Sequence, residues 1–145
     1  MSYANIAGVL WRESGEAAVV EFTKRLVFDV LIGNADAHVK NWSLIYPDRR
    51  MAALAPAYDL VSTIAYIPND RLALSLGGTK VFAEVKLEQF RHLAEKARLP
   101  VRIVLRTVRE TVERVRDLWP GHEPGRALPD RLQHAVSSHM NAMKL

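Results

Sequence analysis

The chain has 145 residues, about half of them apolar and a quarter charged; that is enough for one domain with a buried core, and the balance excludes a disordered chain. It has no cysteine, which excludes disulfide scaffolds, zinc–thiolate sites and thiol catalysis. No apolar run approaches the roughly eighteen residues of a membrane span, and the N-terminus lacks the basic, apolar, small-residue order of a signal peptide, so a cytoplasmic location without membrane contact is expected.

Phe22, Leu26, Val27, Val30 and Leu31 recur at helical spacing and predict an amphipathic helix over about 16–32. Gly33 and Asn34 end it, both tolerating the left-handed conformation that follows a helix. Segments 42–46 and 54–58, on either side of Pro47-Asp48-Arg49-Arg50, read as the arms of a short hairpin. Leu72 to Leu76 reads as a further short strand, closed by Gly77-Gly78. Leu87, Phe90, Leu93 and Ala97 form a helical stripe ended by Leu99-Pro100, and Val101, Val104, Leu105, Val108, Val112, Val115 and Leu118 form a second, ended by Trp119-Pro120-Gly121. Residues 121–125 read as a connector. Pro129 sits near the first turn of a final helix with Leu132, Ala135, Val136 and Met140 on its apolar side. The expected class is therefore mainly α with a small β-hairpin (α+β), in one domain over residues 1–145.

The net charge of +4 gives weak support to polyanion contact. The basic residues concentrate between Arg91 and Arg116, interleaved with Glu95, Glu110 and Glu113. That spacing suits a solvated helix face with i,i+4 pairs better than a nucleic-acid surface.

The polar run Asn34-Ala35-Asp36-Ala37-His38-Val39-Lys40-Asn41 leaves the first long helix, and Ala57-Tyr58-Asp59 follows the hairpin. Asp36 has an asparagine five positions on, and a second aspartate eighteen positions after that. This is the spacing of a kinase active site: an aspartate that accepts the substrate hydroxyl proton, an asparagine that helps hold Mg²⁺, and a separate aspartate on the metal that bridges the nucleotide phosphates. Asp36, Asn41 and Asp59 can take those roles in order. A carboxylate at Asp36 suits a general base. An amide and a carboxylate oxygen suit Mg²⁺, whose octahedron phosphates and waters complete. Lys40 and His38 are candidates for phosphate contact, and His38 can alternatively orient Asp36 or pack in the loop. Tyr58 is expected in the core. The hairpin is expected to carry Asp59 back beside Asn41.

The strings LIGNADAHVKNWSLIY and LAPAYDLVST resemble the catalytic core of the HipA-like toxin kinases, the serine/threonine kinases of bacterial type II toxin–antitoxin systems. The opening SYANIAGVL, the later LALSLGG and the helical tail extend the likeness over most of the chain. The resemblance implies a protein-kinase-like C-lobe, ATP- and Mg²⁺-dependent phosphorylation of a protein hydroxyl, and a DNA-binding, HipB-like antitoxin partner. A kinase also needs a loop over the phosphates and a lysine paired with them, and the glycines here form no such loop before Asp36. The chain is thus expected to be a C-terminal lobe whose nucleotide-binding N-lobe is absent, and inactive alone.

Two rivals follow from the same residues. One is a non-catalytic, partner-binding or scaffold fragment of that fold. The other is a metal-dependent phosphoesterase using Asp36, His38 and Asp59, which would need further His or Asp ligands.

Overall fold

The computed structural model describes residues 1–121 and 127–145. Among the described residues four helices carry the fold: α1 (Tyr3–Ile32), α2 (Leu87–Lys96), α3 (Val101–Leu118) and α4 (Asp130–Ala142). The β content of the described residues is one antiparallel pair, β1 (Leu44–Ile45) with β2 (Ala53–Leu54), in the register Leu44–Leu54 and Ile45–Ala53. Short 3₁₀ turns occupy Val39–Asn41, Phe82–Glu84 and Trp119–Gly121.

Helix α1 is the central element. It packs against α2, α3, α4 and β2, and Tyr3, Phe22, Leu26, Val27, Val30 and Leu31 on it are fully buried. It starts earlier than its apolar stripe predicts. Residues 3–14 form a first arm, seated through Tyr3, Ala7 and Leu10. Gly15, at φ 76° and ψ −160°, breaks the helix where the predicted stripe begins, a conformation open to glycine at little steric cost. The predicted ends of α2, α3 and α4 agree with those observed to within about two residues. Phe90, Leu93, Val104, Val108, Val136 and Met140 complete the core.

The hairpin is real but shorter than expected. Pro56 has no N–H to donate, so pairing ends with the Ala55 N–H on the Ser43 carbonyl at 2.8 Å, and residues 56–58 run on unpaired. Segment 72–76 is not a strand. It makes isolated bridges only, Ser2 to Ser75 and Leu76 to Thr79. Of the predicted connector, Gly121 ends a 3₁₀ turn and the rest lies outside the described residues. The basic helical face carries two ion pairs, Arg91–Glu88 at 3.3 Å and Arg106–Glu110 at 4.0 Å.

Helix α1 ends where the candidate site starts. Gly33 is left-handed at φ 70°, and a Cβ there would lie 2.3 Å from Ile64 Cγ1. Gly33→Ala is therefore expected to destabilise the chain by about 2–5 kcal/mol, from left-handed strain plus overpacking. Urea unfolding of the two proteins measures it, and a loss under 1 kcal/mol would show that Ile64 moves aside freely.

Candidate active site

The loop between α1 and β1 is held by its flanks. Trp42 lays its ring against Phe22 at a centroid distance of 4.6 Å and meets Tyr3 edge-on at 6.4 Å. The Tyr3 hydroxyl donates to the Ala37 carbonyl at 3.1 Å. Burial pushes the Tyr3 hydroxyl pKa up, which keeps it a donor. Aromatic anchors on the core thus fix both ends of the segment that carries Asp36, His38, Lys40 and Asn41.

Within the loop, His38 Nε2 lies 3.0 Å from Asp36 Oδ1, and both side chains are about half exposed. Of the two alternatives for His38, this contact supports orientation of Asp36. Lys40 is exposed on the 3₁₀ turn. Tyr58 is not a core residue. It is 42% exposed, and its hydroxyl donates to the Lys40 carbonyl and meets Ser43 Oγ at 2.8 Å. The tyrosine therefore staples the Asp59 segment to the Asp36 loop from the solvent side.

Asn41 and Asp59 line one small cavity together with Arg25, Asp29, Asn34 and Trp42. Its space of about 10 Å³ admits one water-sized particle. The hairpin does return Asp59 to Asn41, as its position in the sequence suggested. Asp36 lies outside that lining, on the exposed side of the loop. Asn41 Oδ1 is sealed from solvent and has no hydrogen-bond donor. A buried acceptor without a donor is costly; the Trp42 Nε1–H of the same cavity is likewise without a partner, so the space suits a water molecule as well as a hard cation on the Asn41 oxygen. Asp59 lines the same cavity and sits in the left-handed region at φ 55°; its carboxylate is the anionic oxygen that would complete such a pair. The residues present thus fit a Mg²⁺ ion. Among the described residues, no three His, Cys, Asp or Glu side chains converge as a metal-holding group, so the phosphoesterase rival lacks its extra ligands there.

Two residues of this cavity do not stand out in the kinase-type spacing. Asp29 is 3% exposed and Asn34 is 1% exposed. Asn34 Nδ2 donates to Asp29 Oδ1 at 2.7 Å and to the Asp59 carbonyl at 3.2 Å, while Asn34 Oδ1 accepts the Asp36 N–H at 3.0 Å. The signal for Asp29 lay in the apolar stripe: it stands three residues after Leu26, on the face that enters the core. Burial raises its pKa to about 6, against a smaller lowering by Asn34.

A raised carboxylate pKa has a definite sign. Between pH 3.8 and about 6 the folded state holds a proton that the unfolded state has released, so stability falls as pH rises through that window. Above it the ionised carboxylate costs on the order of 3 kcal/mol. Asp29→Asn keeps an acceptor for Asn34, so it should raise the melting temperature at pH 7 and lose its advantage as pH falls toward 4. Thermal melts of both proteins across that range test it. Subtracting one curve from the other cancels the opposite drift from His139, whose pKa burial lowers. An equal difference at every pH would contradict the buried charge.

Comparison with known proteins places the chain in a family. A family model described as the HipA-like C-terminal domain matches residues 1–119. A candidate kinase of Sinorhizobium fredii is 46% identical over 145 residues, 99% of this chain and 36% of the relative. A second candidate kinase of that organism is 32% identical over 96 residues, 66% of this chain and 23% of the relative. The chain thus spans about a third or less of the lengths of these curated relatives. Among solved structures, a chain of the Shewanella oneidensis MR-1 toxin–antitoxin complex of HipA, HipB and operator DNA superposes with a TM-score of 0.75 at 21% identity, covering 98% of this chain and 35% of that one. That likeness shows the fold, and the fold is kinase-like. With the family model matched from the first residue through α3, this chain belongs to the HipA-like C-terminal domains.

Proposed function

We propose that this chain is the catalytic-loop lobe of a serine/threonine protein kinase of the toxin–antitoxin type, transferring the ATP γ-phosphoryl group to a protein hydroxyl. The observation that carries the reading is the small cavity shared by Asn41 and Asp59, with the Asn41 oxygen buried and unpartnered, beside an exposed Asp36 held by His38. Asp36 accepts the proton of the attacking hydroxyl as its oxygen bonds to the γ-phosphorus and the bond to the leaving ADP breaks. His38 fixes the carboxylate that does so, and Lys40, on the same exposed turn, meets phosphate oxygens. Asn41 and Asp59 would hold Mg²⁺, which when bound would neutralise charge on the nucleotide phosphates. The proposed partners are a nucleotide-binding lobe, a HipB-like DNA-binding antitoxin and a protein substrate.

An exposed apolar run, with Leu60, Val61, Tyr66 and Ile67 each 42–65% exposed, favours a second reading, in which the lobe docks a partner and turns nothing over. Calorimetric titration of the 145-residue chain with ATP, with and without Mg²⁺, tests both. The kinase reading expects binding that is weaker than the low micromolar range, depends on Mg²⁺ and is lost in Asp59→Asn. Binding indifferent to Mg²⁺ and to Asp59 would favour the docking fragment. Low-micromolar affinity would show that this lobe alone holds the nucleotide.

A further inference from the structure

We infer that Asn34 is the positioning residue that ties the two halves of the site together. The proton acceptor and the metal-holding carboxylate stand on separate segments, Asp36 on the loop after α1 and Asp59 beyond the hairpin. One buried amide bonds to both. Its oxygen takes the Asp36 N–H at 3.0 Å, and its nitrogen gives one hydrogen to the Asp59 carbonyl at 3.2 Å and the other to Asp29 at 2.7 Å. An amide nitrogen has two hydrogens, so both donors are used.

The Asp59 backbone needs such a hold. Left-handed φ at a non-glycine residue is disfavoured and persists where surrounding contacts over-determine it. The Asn34 bond to the Asp59 carbonyl is such a contact. Asp29, fixed in α1 and sealed from water, prevents the amide from turning over: with nitrogen and oxygen exchanged, the Asn34 oxygen would face a carboxylate.

A second latch keeps the segments attached without Asn34. Thr63 Oγ1 accepts the Ala35 N–H at 2.9 Å, and the Thr63 and Ile64 N–H groups donate to the Gly33 carbonyl at 3.1 and 3.2 Å. Loss of Asn34 should therefore misplace Asp59 without unfolding the loop. The consequence for metal binding rests on the kinase reading; the link between the segments does not.

The test uses the 145-residue chain and Mn²⁺ as the probe, an oxygen-seeking octahedral ion like Mg²⁺. The variants are Asn34→Ala and the charge-neutral exchange Asp29→Asn with Asn34→Asp. The exchange rebuilds the bond to α1 and the acceptor for the Asp36 N–H, but leaves nothing to donate to the Asp59 carbonyl. Asn34→Ala is expected to weaken Mn²⁺ binding about 10–100-fold, the usual effect of removing a ligand's own hydrogen-bond partner. It should also move the carbonyl ¹³C resonance of Asp59 and the amide resonance of Asp36. The exchange should restore the melting temperature and the Asp36 amide, while the Asp59 carbonyl and the Mn²⁺ affinity stay shifted. Recovery of all four together, or an Asp59 resonance unmoved in Asn34→Ala, would overturn the inference. If the unaltered chain binds no Mn²⁺, the metal reading fails, and the two resonances still judge the link.

Discussion

Asp36→Asn is expected to lower phosphotransfer by about 10²–10⁴-fold, the usual contribution of a positioned general base, in a protein that joins this lobe to a nucleotide-binding lobe. The substitution removes the proposed proton acceptor at nearly constant volume. The Asp36 side chain is 61% exposed, and surface changes of this kind usually shift stability by no more than about 0.5 kcal/mol. Melting and Mg²⁺ affinity should therefore be unaltered, the latter because Asp36 lies outside the cavity shared by Asn41 and Asp59. ATP turnover measured beside circular dichroism checks both halves. Activity within tenfold of the parent would remove Asp36 from the proposed chemistry.

The second large effect concerns the metal, and its contrast with His38 separates two classes of enzyme. Asp59→Asn should abolish stoichiometric Mg²⁺ binding and turnover together. Asparagine tolerates left-handed backbone as well as aspartate does, so the loss would report the charge and not the conformation. Asn41→Ala should act in the same direction by removing the buried acceptor. His38→Ala should leave metal bound and reduce turnover only in part, since a kinase asks the imidazole to orient Asp36 and not to ligate. In a two-metal phosphoesterase the pattern inverts: His38→Ala would strip the metal, and Asn41→Ala would be nearly silent. Metal content by atomic absorption, read with turnover for the three variants, decides between them.

What could be read from the sequence was local. The stripes Leu87–Ala97 and Val101–Leu118 gave their helices because a 3.6-residue repeat fixes which face can be buried, and Pro100 and Pro120 bounded them. The order Asp36, Asn41, Asp59 was legible as a kinase-type spacing, and the fold brings Asn41 and Asp59 to one cavity. The first arm of α1 was not, since residues 3–14 carry their core contacts on Tyr3, Ala7 and Leu10 with no sustained stripe. Segment 72–76 alternates like a strand, yet it found isolated bridges and no ladder. Tyr58, an aromatic beside apolar neighbours, suggested core; its hydroxyl instead found the Lys40 carbonyl at the surface.

The sequence by itself determined the candidate residues of the site and the helix that leads into their loop, because each depends on neighbours along the chain. Only the tertiary structure decided how they meet. Hydrogen bonds between residues 25 and 34 positions apart depend on where α1, the hairpin and the following loop pack, and no local pattern encodes those distances. The burial of Asp29, the sealed oxygen of Asn41 and the double grip of Asn34 on Asp36 and Asp59 follow from that packing, which excludes water and leaves each polar group only the partners that the fold brings to it.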